Sequence, residues 1–346
     1  MVSNFSSNLK TVLYTPTYPS VKSDAHPAQS VTVRQKLLGD GGLREVLRDS
    51  EPELIFTDSA FYAFQVEMLL IRRAKRTPIF VHLHGDWWRE YWSGFSSSSW
   101  RKRILGSQQF AYNWGGLALV TKALPVCRWL EAVTKHYLPR KRTEVVYMGI
   151  DPVGFRPLRG MHFDKPAVAI IQNHTVLPKV LGLLSFRKVT ELLPKVHFYI
   201  AEGQPVAQAY LPTVKSTYEH SKNVHFVEGI DSPERVRMML TAADYYVLAS
   251  RLDCCPTTVL EASLIQKPVI ASRVGGVPEI VLQDRTGWTI PNDSTNQWVN
   301  RIEQLLEDTS LRQRLGAAGR EWVSENFAWS KVSKQIERVI IDEVEA

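Results

Sequence analysis

The sequence has few cysteines and no long hydrophobic run, and each absence excludes a class of protein. The three cysteines among 346 residues are Cys127, Cys254 and Cys255. They form neither a disulfide framework nor a Cys-x-x-Cys metal pair, which predicts a reducing, cytoplasmic location. No run approaches the roughly 18 to 20 apolar residues that cross a bilayer. The polar N-terminal residues also lack the apolar core of a signal peptide.

Motifs that mark several enzyme classes are missing as well. The sequence contains no Gly-x-Gly-x-x-Gly after a predicted strand, no P-loop, no His-Glu-x-x-His and no Gly-x-Ser-x-Gly. These absences weigh against dinucleotide oxidoreductases, P-loop nucleotide hydrolases, zinc peptidases and serine hydrolases.

The composition is that of a globular protein whose charge is unevenly distributed. The apolar fraction is 44%, and the length predicts two domains. Residues 1–155 hold 20 Lys and Arg against 13 Asp and Glu, whereas residues 156–346 hold 22 of each. The whole net charge of +7 therefore belongs to the N-terminal half. Such a half is typical of a protein that meets a phosphorylated, membrane or nucleic-acid partner, and equally of a solvated basic face.

Short apolar runs alternate with helical patterns, and the rhythm occurs twice. The first series predicts strands at residues 11–15, 53–57, 78–84, 117–121 and 143–148. The second series predicts strands at 167–171, 196–200, 224–227, 244–250 and 268–272. Strands separated by helices indicate parallel sheets, and a Gly- and Pro-rich segment at 149–166 is the predicted linker. The expected architecture is α/β, with two Rossmann-like domains and a ligand cleft between them.

The most informative segment runs from residue 249 to 281. Pro256 is expected in the first turn of a helix that begins after a strand, where its missing N–H costs nothing. The backbone N–H groups near Thr257 and Thr258 would then form a positive seat for a diphosphate. Asp253 in the loop and Glu261 one turn into the helix could approach one ligand from two sides.

This segment resembles the family 4 retaining glycosyltransferases of the GT-B fold. Their signature has two Glu residues separated by seven others, then Pro-Val-Ile-Ala and a Gly-Gly-x-Pro-Glu-Ile loop. Glu261 matches the second Glu, and residues 268–280 match the motifs that follow. Asp253 replaces the first Glu, which keeps the charge and shortens its reach. Residues 147–157 are similar to the family's entry to the linker, and Phe327–Trp329 to the start of its helix that crosses back.

The resemblance implies three regions and a role for each. Residues 1–157 would bind the acceptor, residues 158–325 would bind a nucleotide sugar, and residues 326–346 would form the crossover helix. His84 ends a strand of the first domain, at the place of the family's His beside the transferred sugar, whereas His82 is expected to be structural. No cofactor or metal is implied, because the nucleotide sugar, UDP- or GDP-linked, is a substrate.

Within the donor domain the resemblance assigns further contacts. Lys179 matches a Lys that grips the diphosphate, and His174 stands where the family has an Arg. A neutral His donates one hydrogen bond where Arg offers five donors, so this replacement weakens the expected grip. Glu261 would take the ribose, and Asp253 with the backbone near Cys254 would orient the sugar. Adjacent Cys254 and Cys255 line this loop, and small apolar side chains are a better interpretation of them than a nucleophile or metal site.

The basic N-terminal half also contains clustered tryptophans, with five of the ten between residues 87 and 114. Basic residues interleaved with Trp are typical of a surface that lies on anionic lipid. The residues predicted for this acceptor or membrane surface are Trp87, Trp88, Trp92, Trp100, Arg101 and Arg103. A lipid-linked or glycan acceptor at the inner face of the membrane is therefore expected, and no nucleic acid. Two alternatives remain: a glycosyltransferase that acts on a soluble sugar phosphate, or a non-catalytic anionic-surface or nucleic-acid binding protein on a degenerate GT-B scaffold.

Overall fold

The computed structural model describes residues 11–14, 32–33, 54–58, 76–86, 100–203 and 209–344. Side chains are described in these ranges except at residues 11–14, 32–33, 57–58, 100–106, 109 and 344. The chain forms two compact units. Unit 1 comprises Met1–Tyr147 with Trp329–Ala346, and unit 2 comprises Met148–Ala328.

Unit 1 contains a parallel sheet of five strands. The strands are β1 (Thr11–Tyr14), β2 (Thr32–Val33), β3 (Leu54–Asp58), β4 (Ile79–Leu83) and β5 (Lys122–Pro125). Their order across the sheet is β2-β1-β3-β4-β5, and every pair is parallel. The described helices are α1 (Trp100–Leu119), α2 (Arg128–Tyr137) and α10 (Trp329–Val344). All five residues of β4 are buried, as its continuous apolar run predicts.

The last helix completes the core of unit 1. On α10, Val332, Ile336, Val339 and Ile340 recur at the spacing of one helical face and are almost fully buried. They pack against a set of apolar side chains from the sheet and the segment after it: Leu54, Phe56, Phe80, Leu124 and Val146. The predicted crossover helix is therefore confirmed.

Unit 2 contains a parallel sheet of six strands. These are β6 (Ala167–Ile170), β7 (His197–Ala201), β8 (Val224–Val227), β9 (Tyr245–Leu248), β10 (Val269–Ser272) and β11 (Gly287–Ile290). Its helices are α3 (Leu177–Leu192), α4 (Leu211–Thr217), α5 (Pro233–Ala242), α6 (Thr257–Leu264), α7 (Val277–Ile280), α8 (Thr295–Glu307) and α9 (Thr309–Asn326). The segment predicted as the linker, 149–166, lies wholly in unit 2, which begins at Met148, ten residues before the predicted start of the second domain at 158.

The strand order of unit 2 contains a reversal that positions the site. The order is β11-β10-β9-β6-β7-β8. From β6 the chain adds β7 and β8 on one side of β6, and it then returns to add β9, β10 and β11 on the other side. Strands β6 and β9 are therefore neighbours whose following loops diverge to opposite sides. In open α/β sheets, this point at the carboxyl ends of the strands is where ligands bind.

Two of the strand predictions in unit 1 were wrong. Residues 117–119 form the last turn of α1, and the strand starts only at Lys122. A run of five apolar residues has too little length to distinguish a strand from a helix end. Residues 143–148 form no strand, although their backbone follows β5: Glu144 N–H donates to the Ala123 oxygen at 3.1 Å and Val146 N–H to the Pro125 oxygen at 3.0 Å.

The predicted membrane surface cannot be compared with the structure. Trp87, Trp88 and Trp92 lie outside the described residues, and Trp100, Arg101 and Arg103 lie in the part of α1 whose side chains are not described. Among the helices described, none has the length and apolar character needed to cross a membrane.

Candidate functional site in unit 2

An ion pair lies across the strand reversal of unit 2. Lys179 occupies the first turn of α3, which follows β6, and Asp253 lies in the loop that follows β9. Lys179 Nζ is 2.9 Å from Asp253 Oδ2, and both side chains are largely buried, with exposed fractions of 22% and 8%. Two residues that the sequence assigned separately to diphosphate and sugar are therefore direct partners.

The loop that carries Asp253 is fixed through its own backbone. The Cys254 N–H donates to Asp253 Oδ1 at 3.1 Å, and the Gly276 N–H donates to the Asp253 carbonyl oxygen at 3.2 Å. Gly276 belongs to the Gly-Gly loop after β10, so the two loops of the predicted motif are in contact. One carboxylate oxygen thus accepts from the loop while the other accepts from Lys179.

The start of α6 presents the predicted pair of threonines. Pro256 is the N-cap, one position before the place expected, and no side chain caps the helix. The N–H groups of a first helical turn lack intrahelical acceptors, which makes this end electropositive. Thr257 is exposed and Thr258 is partly buried.

Tyr246, in β9, connects this helix to the loop after β6. Its hydroxyl donates to the Ile171 carbonyl oxygen at 2.9 Å, and Thr258 Oγ1 lies 2.8 Å from the same hydroxyl. Because a carbonyl only accepts, the tyrosine proton goes to Ile171 and Thr258 donates to the phenol oxygen. Tyr246 was not predicted from the sequence, because a buried tyrosine in a strand belongs to no recognisable motif.

Glu261 lies one turn into α6 and is partly buried. Burial raises the pKa of its carboxyl to about 7. The carboxyl is therefore close to half ionised at neutral pH, and a polar partner such as a pair of hydroxyls would favour its charged form.

His174 precedes Lys179 by five residues, and its side chain faces inward. It is fully buried, and its Nε2 lies 2.8 Å from the carbonyl oxygen of Ala201, to which it must donate. Burial lowers its pKa, so the ring is neutral near pH 7 and Nδ1 is an acceptor, which has no hydrogen-bond partner among the described residues. In this arrangement His174 has no hydrogen left to donate to an anion.

The two adjacent cysteines are buried and unbridged. Cys254 and Cys255 are 3% and 7% exposed, and neither forms a disulfide. In the part of the chain that the structure describes, no group of three or more His, Cys, Asp or Glu side chains could hold a metal ion. The burial of both cysteines is consistent with their interpretation as small apolar side chains.

In unit 1, His84 follows β4 and is oriented by a second histidine. His82 is fully buried, with Nε2 2.8 Å from the Val146 carbonyl oxygen, and His84 Nε2 lies 3.0 Å from His82 Nδ1. The carbonyl requires the proton on His82 Nε2, so His82 Nδ1 is the acceptor and His84 Nε2 the donor. Burial lowers the pKa of His82 to about 4, and burial with the neighbouring ring lowers that of His84 well below its usual value. Both rings are neutral at pH 7.

Comparisons with known proteins agree with this architecture. Residues 179–322 match the model of the family Glycosyl transferases group 1. The chain is 26% identical over 56% of its length to alpha-maltose-1-phosphate synthase of Mycolicibacterium smegmatis, covering 55% of that protein. It is 30% identical over 66% of its length to D-inositol 3-phosphate glycosyltransferase of Jonesia denitrificans, covering 57% of that protein. The chain thus spans little more than half the length of these relatives.

Solved structures show the same fold. The sucrose-phosphate synthase of Thermosynechococcus elongatus superimposes with a TM-score of 0.71 at 19% identity, over 87% of this chain and 76% of that one. Anabaena Alr3699/HepE, solved in complex with UDP and glucose, gives a TM-score of 0.64 at 16% identity, over 87% and 83% of the two chains. The protein therefore has the GT-B fold, and its residues 179–322 are similar to the glycosyl transferases group 1 family.

Proposed function

We propose that the chain is a retaining glycosyltransferase that moves a sugar from a UDP- or GDP-linked donor to a glycan or lipid-linked acceptor at a membrane surface. One observation carries the proposal: Lys179 and Asp253 meet at 2.9 Å across the strand reversal of unit 2, beside the uncapped start of α6. A cation, a carboxylate and a helix N-terminus at this edge of a sheet suit a diphosphate joined to a polyhydroxyl group.

Each donor group has a partner in this arrangement. Lys179 and the first N–H groups of α6 would hold the diphosphate, whose charge grows as the sugar leaves. Glu261 would accept from the ribose hydroxyls, which offer hydrogen-bond donors to its carboxylate. Asp253 would then exchange Lys179 for the sugar hydroxyls, so that donor binding opens the ion pair seen in the structure.

The proposed reaction retains configuration at the anomeric carbon. The bond between that carbon and the diphosphate oxygen breaks, and the acceptor hydroxyl attacks from the same face. The departing diphosphate oxygen takes the acceptor's proton, so the step needs no further reactant. We assign the transferred sugar to His84 as well, a neutral ring whose tautomer His82 fixes.

A soluble sugar-phosphate acceptor is the second candidate. The names of two relatives, alpha-maltose-1-phosphate synthase and D-inositol 3-phosphate glycosyltransferase, refer to phosphorylated small molecules. Another relative is named as a phosphatidylinositol monomannoside mannosyltransferase, 27% identical over 48% of this chain and 45% of that one. Relatives of both kinds support a phosphorylated acceptor, and the basic N-terminal half of the chain suits either.

The donor assignment is tested by a thermal-shift panel of UDP-, GDP- and ADP-sugars. A bound nucleotide sugar stabilises the folded state by an amount that grows with the logarithm of its concentration above Kd, so one base should raise Tm and the others should not. Slow hydrolysis of that donor without acceptor would distinguish an enzyme from a binding protein. No shift with any nucleotide sugar at millimolar concentration would contradict the proposal.

The acceptor surface is tested by flotation with vesicles. Liposomes rich in phosphatidylglycerol should carry the protein upward at low salt, and a double Trp92→Ala, Trp100→Ala variant should stay at the bottom. Neutral phosphatidylcholine vesicles serve as the control, because a basic surface has no charge to meet there. Absence of flotation at low salt would favour the soluble acceptor.

A further inference from the structure

Gly182 brings helix α3 into contact with the backbone before the Asp253 loop. It is buried one turn after Lys179 on α3. A Cβ atom at this position would lie 2.6 Å from Ser250 Cα, 2.7 Å from the Ala249 oxygen and 2.7 Å from the Ser250 carbonyl carbon. All three are backbone atoms, so no side chain can rotate away. Only glycine allows the helix and the loop to approach this closely.

Ser250 is held from the other side by two polar side chains. The Ser250 N–H donates to Ser272 Oγ at 2.9 Å, and Asn292 Nδ2 donates to the Ser250 oxygen at 3.1 Å. Ser272 Oγ in turn donates to Asn292 Oδ1 at 2.7 Å. Ser250 and Ser272 are fully buried, so these bonds replace water that cannot enter. We call Gly182, Ser250, Ser272 and Asn292 the loop clamp.

The loop clamp is continuous with the ion pair. Next to Ser250, the Arg251 N–H donates to the Pro178 oxygen at 3.0 Å, in the first turn of α3. The Lys179 carbonyl oxygen accepts from Gln172 Nε2 at 3.0 Å, which fixes the same turn to the end of β6. From these anchored backbones only the side chains of Lys179 and Asp253 remain to close the distance of 2.9 Å.

We propose that Gly182, with Ser272 and Asn292, positions Asp253 against Lys179 and so sets the geometry in which this chain grips the donor diphosphate and sugar. The inference rests on the proposed function, because it assigns positioning residues to that donor site. None of the three touches the donor in this account. They act through the backbone at residues 250–253, because they set the distance between α3 and the loop that carries Asp253.

A single methyl group tests this separation. Gly182→Ala must move α3 or the loop by several tenths of an ångström or more, because the three close contacts are with rigid backbone. A displacement near 1 Å at a binding site can cost on the order of 10²-fold in rate. We expect Gly182→Ala to raise the donor KM and Kd by roughly tenfold or more, because donor binding needs both the Asp253 carboxylate and the Lys179 ammonium at their correct positions.

Gly316→Ala is the matched control. Gly316 lies on α9 in the same unit, and a Cβ there would lie 2.8 Å from the carbonyl carbon of Gln266, another backbone contact. The control is expected to lower Tm while the folded protein keeps its donor Kd. Equal loss of donor affinity in both variants would overturn the proposal, because the effect would then follow stability alone.

A double-mutant cycle shows whether Gly182 acts through the ion pair. Gly182→Ala is compared in the wild-type and Lys179→Ala backgrounds by donor Kd. If the glycine positions Lys179, its substitution should cost little once the lysine is absent, so the two losses are strongly non-additive. Additive losses would contradict the mechanism.

Hydrogen exchange gives a readout that needs no donor. The Arg251 amide should exchange faster in Gly182→Ala than in wild type, and at the wild-type rate in Gly316→Ala. Asn292→Ala provides the same readout without a steric clash if Gly182→Ala fails to fold, because it removes the donor to the Ser250 oxygen. Unchanged exchange at Arg251 in these variants would overturn the clamp. If exchange at Arg251 is faster in these variants but the wild-type protein binds no nucleotide sugar, the clamp is retained and the proposed function is rejected.

Discussion

The candidate site of unit 1 and that of unit 2 hold their side chains by opposite means. In unit 1, two neutral histidines form a hydrogen-bonded chain that ends on the Val146 carbonyl oxygen. In unit 2, Lys179 and Asp253 form a largely buried ion pair, and burial raises the pKa of Glu261 to about 7. The first arrangement fixes a tautomer and the second balances charge. Acid should therefore destabilise unit 1 more than unit 2, because in unit 2 the raised pKa of Glu261 opposes the lowered pKa of buried His174.

The sign follows from the proton balance of each unit. A buried His with a lowered pKa binds fewer protons folded than unfolded, so unit 1 loses stability as pH falls below 6.5. Glu261 has a raised pKa and binds more protons folded than unfolded between its ordinary value of 4.5 and about 7. Its contribution to stability is therefore lost as pH rises through that window.

The largest expected effect is the loss of activity in Lys179→Ala. Without the Lys179 cation, the departing diphosphate loses its main charge partner. The largely buried Asp253 carboxylate also loses the neutralising charge of Lys179. We expect kcat/KM to fall on the order of 10²- to 10³-fold with the fold retained. Lys188→Ala, an exposed lysine on the same helix, should keep wild-type kinetics. Full activity in Lys179→Ala would remove unit 2 as the donor site.

The second effect is an acid destabilisation that is larger in unit 1 than in unit 2. Between pH 6.5 and 4.5, protonation of His82 in the unfolded chain should cost unit 1 on the order of 2 kcal/mol. Peptide-resolved hydrogen exchange at pH 7 and pH 5 measures it, corrected for intrinsic rates. His82→Gln should reduce this pH dependence and leave the part that His84 contributes, whereas the exposed His136→Gln should leave it intact. Equal acid sensitivity in both units would break the comparison.

A smaller effect is the pH dependence of donor affinity through Glu261. If the ionised carboxylate holds the ribose, donor Kd should rise up to about tenfold per pH unit below pH 7 and level off above it. Glu261→Gln should weaken binding at pH 8 and remove that slope. Calorimetry at pH 6, 7 and 8 gives the measurement, with the exposed Glu303→Gln as control. A slope that survives in Glu261→Gln would assign the titration to another group.

The smallest expected effect on donor binding is that of His174→Asn. The ring donates inward to Ala201, so its loss should change donor Kd by less than about threefold. The same variant should lower stability by roughly 1 kcal/mol, because a buried carbonyl loses its hydrogen bond. A large loss of affinity at unchanged stability would instead restore His174 as the substitute for the missing Arg.

Most of the strands of unit 2 could be predicted from the sequence, whereas unit 1 was less readable. In unit 2 continuous apolar runs bounded by Gly and Pro gave five of the six strands, and only β11 was missed. Its four residues, Gly287–Ile290, begin with a glycine and are too few for a clear pattern. In unit 1 the run at 117–121 is equally apolar but ends a helix of 20 residues. A local hydrophobicity pattern does not show whether such a run ends a helix or forms a strand, because tertiary packing decides between them.

The resemblance assigns Asp253, Glu261 and Lys179 to one donor site, but the sequence does not predict the contacts among its side chains. The pairing of Lys179 with Asp253 depends on β6 and β9 becoming neighbours. The inward direction of His174 depends on the Ala201 carbonyl, 27 residues later in the chain. The role of Gly182 could not be predicted from the sequence, because it depends on how closely the backbone of Ala249 and Ser250 approaches α3.

The packing of α10 determines the order in which the protein can fold during synthesis. Unit 2 is one continuous segment, Met148–Ala328, and its core is complete once that segment has left the ribosome. The core of unit 1 requires Val332, Ile336, Val339 and Ile340, which are made only after the whole of unit 2. The part of the chain that is made first is therefore the part that finishes folding last. Until then, the apolar faces of β3 and β4 have to be protected from aggregation by some other means.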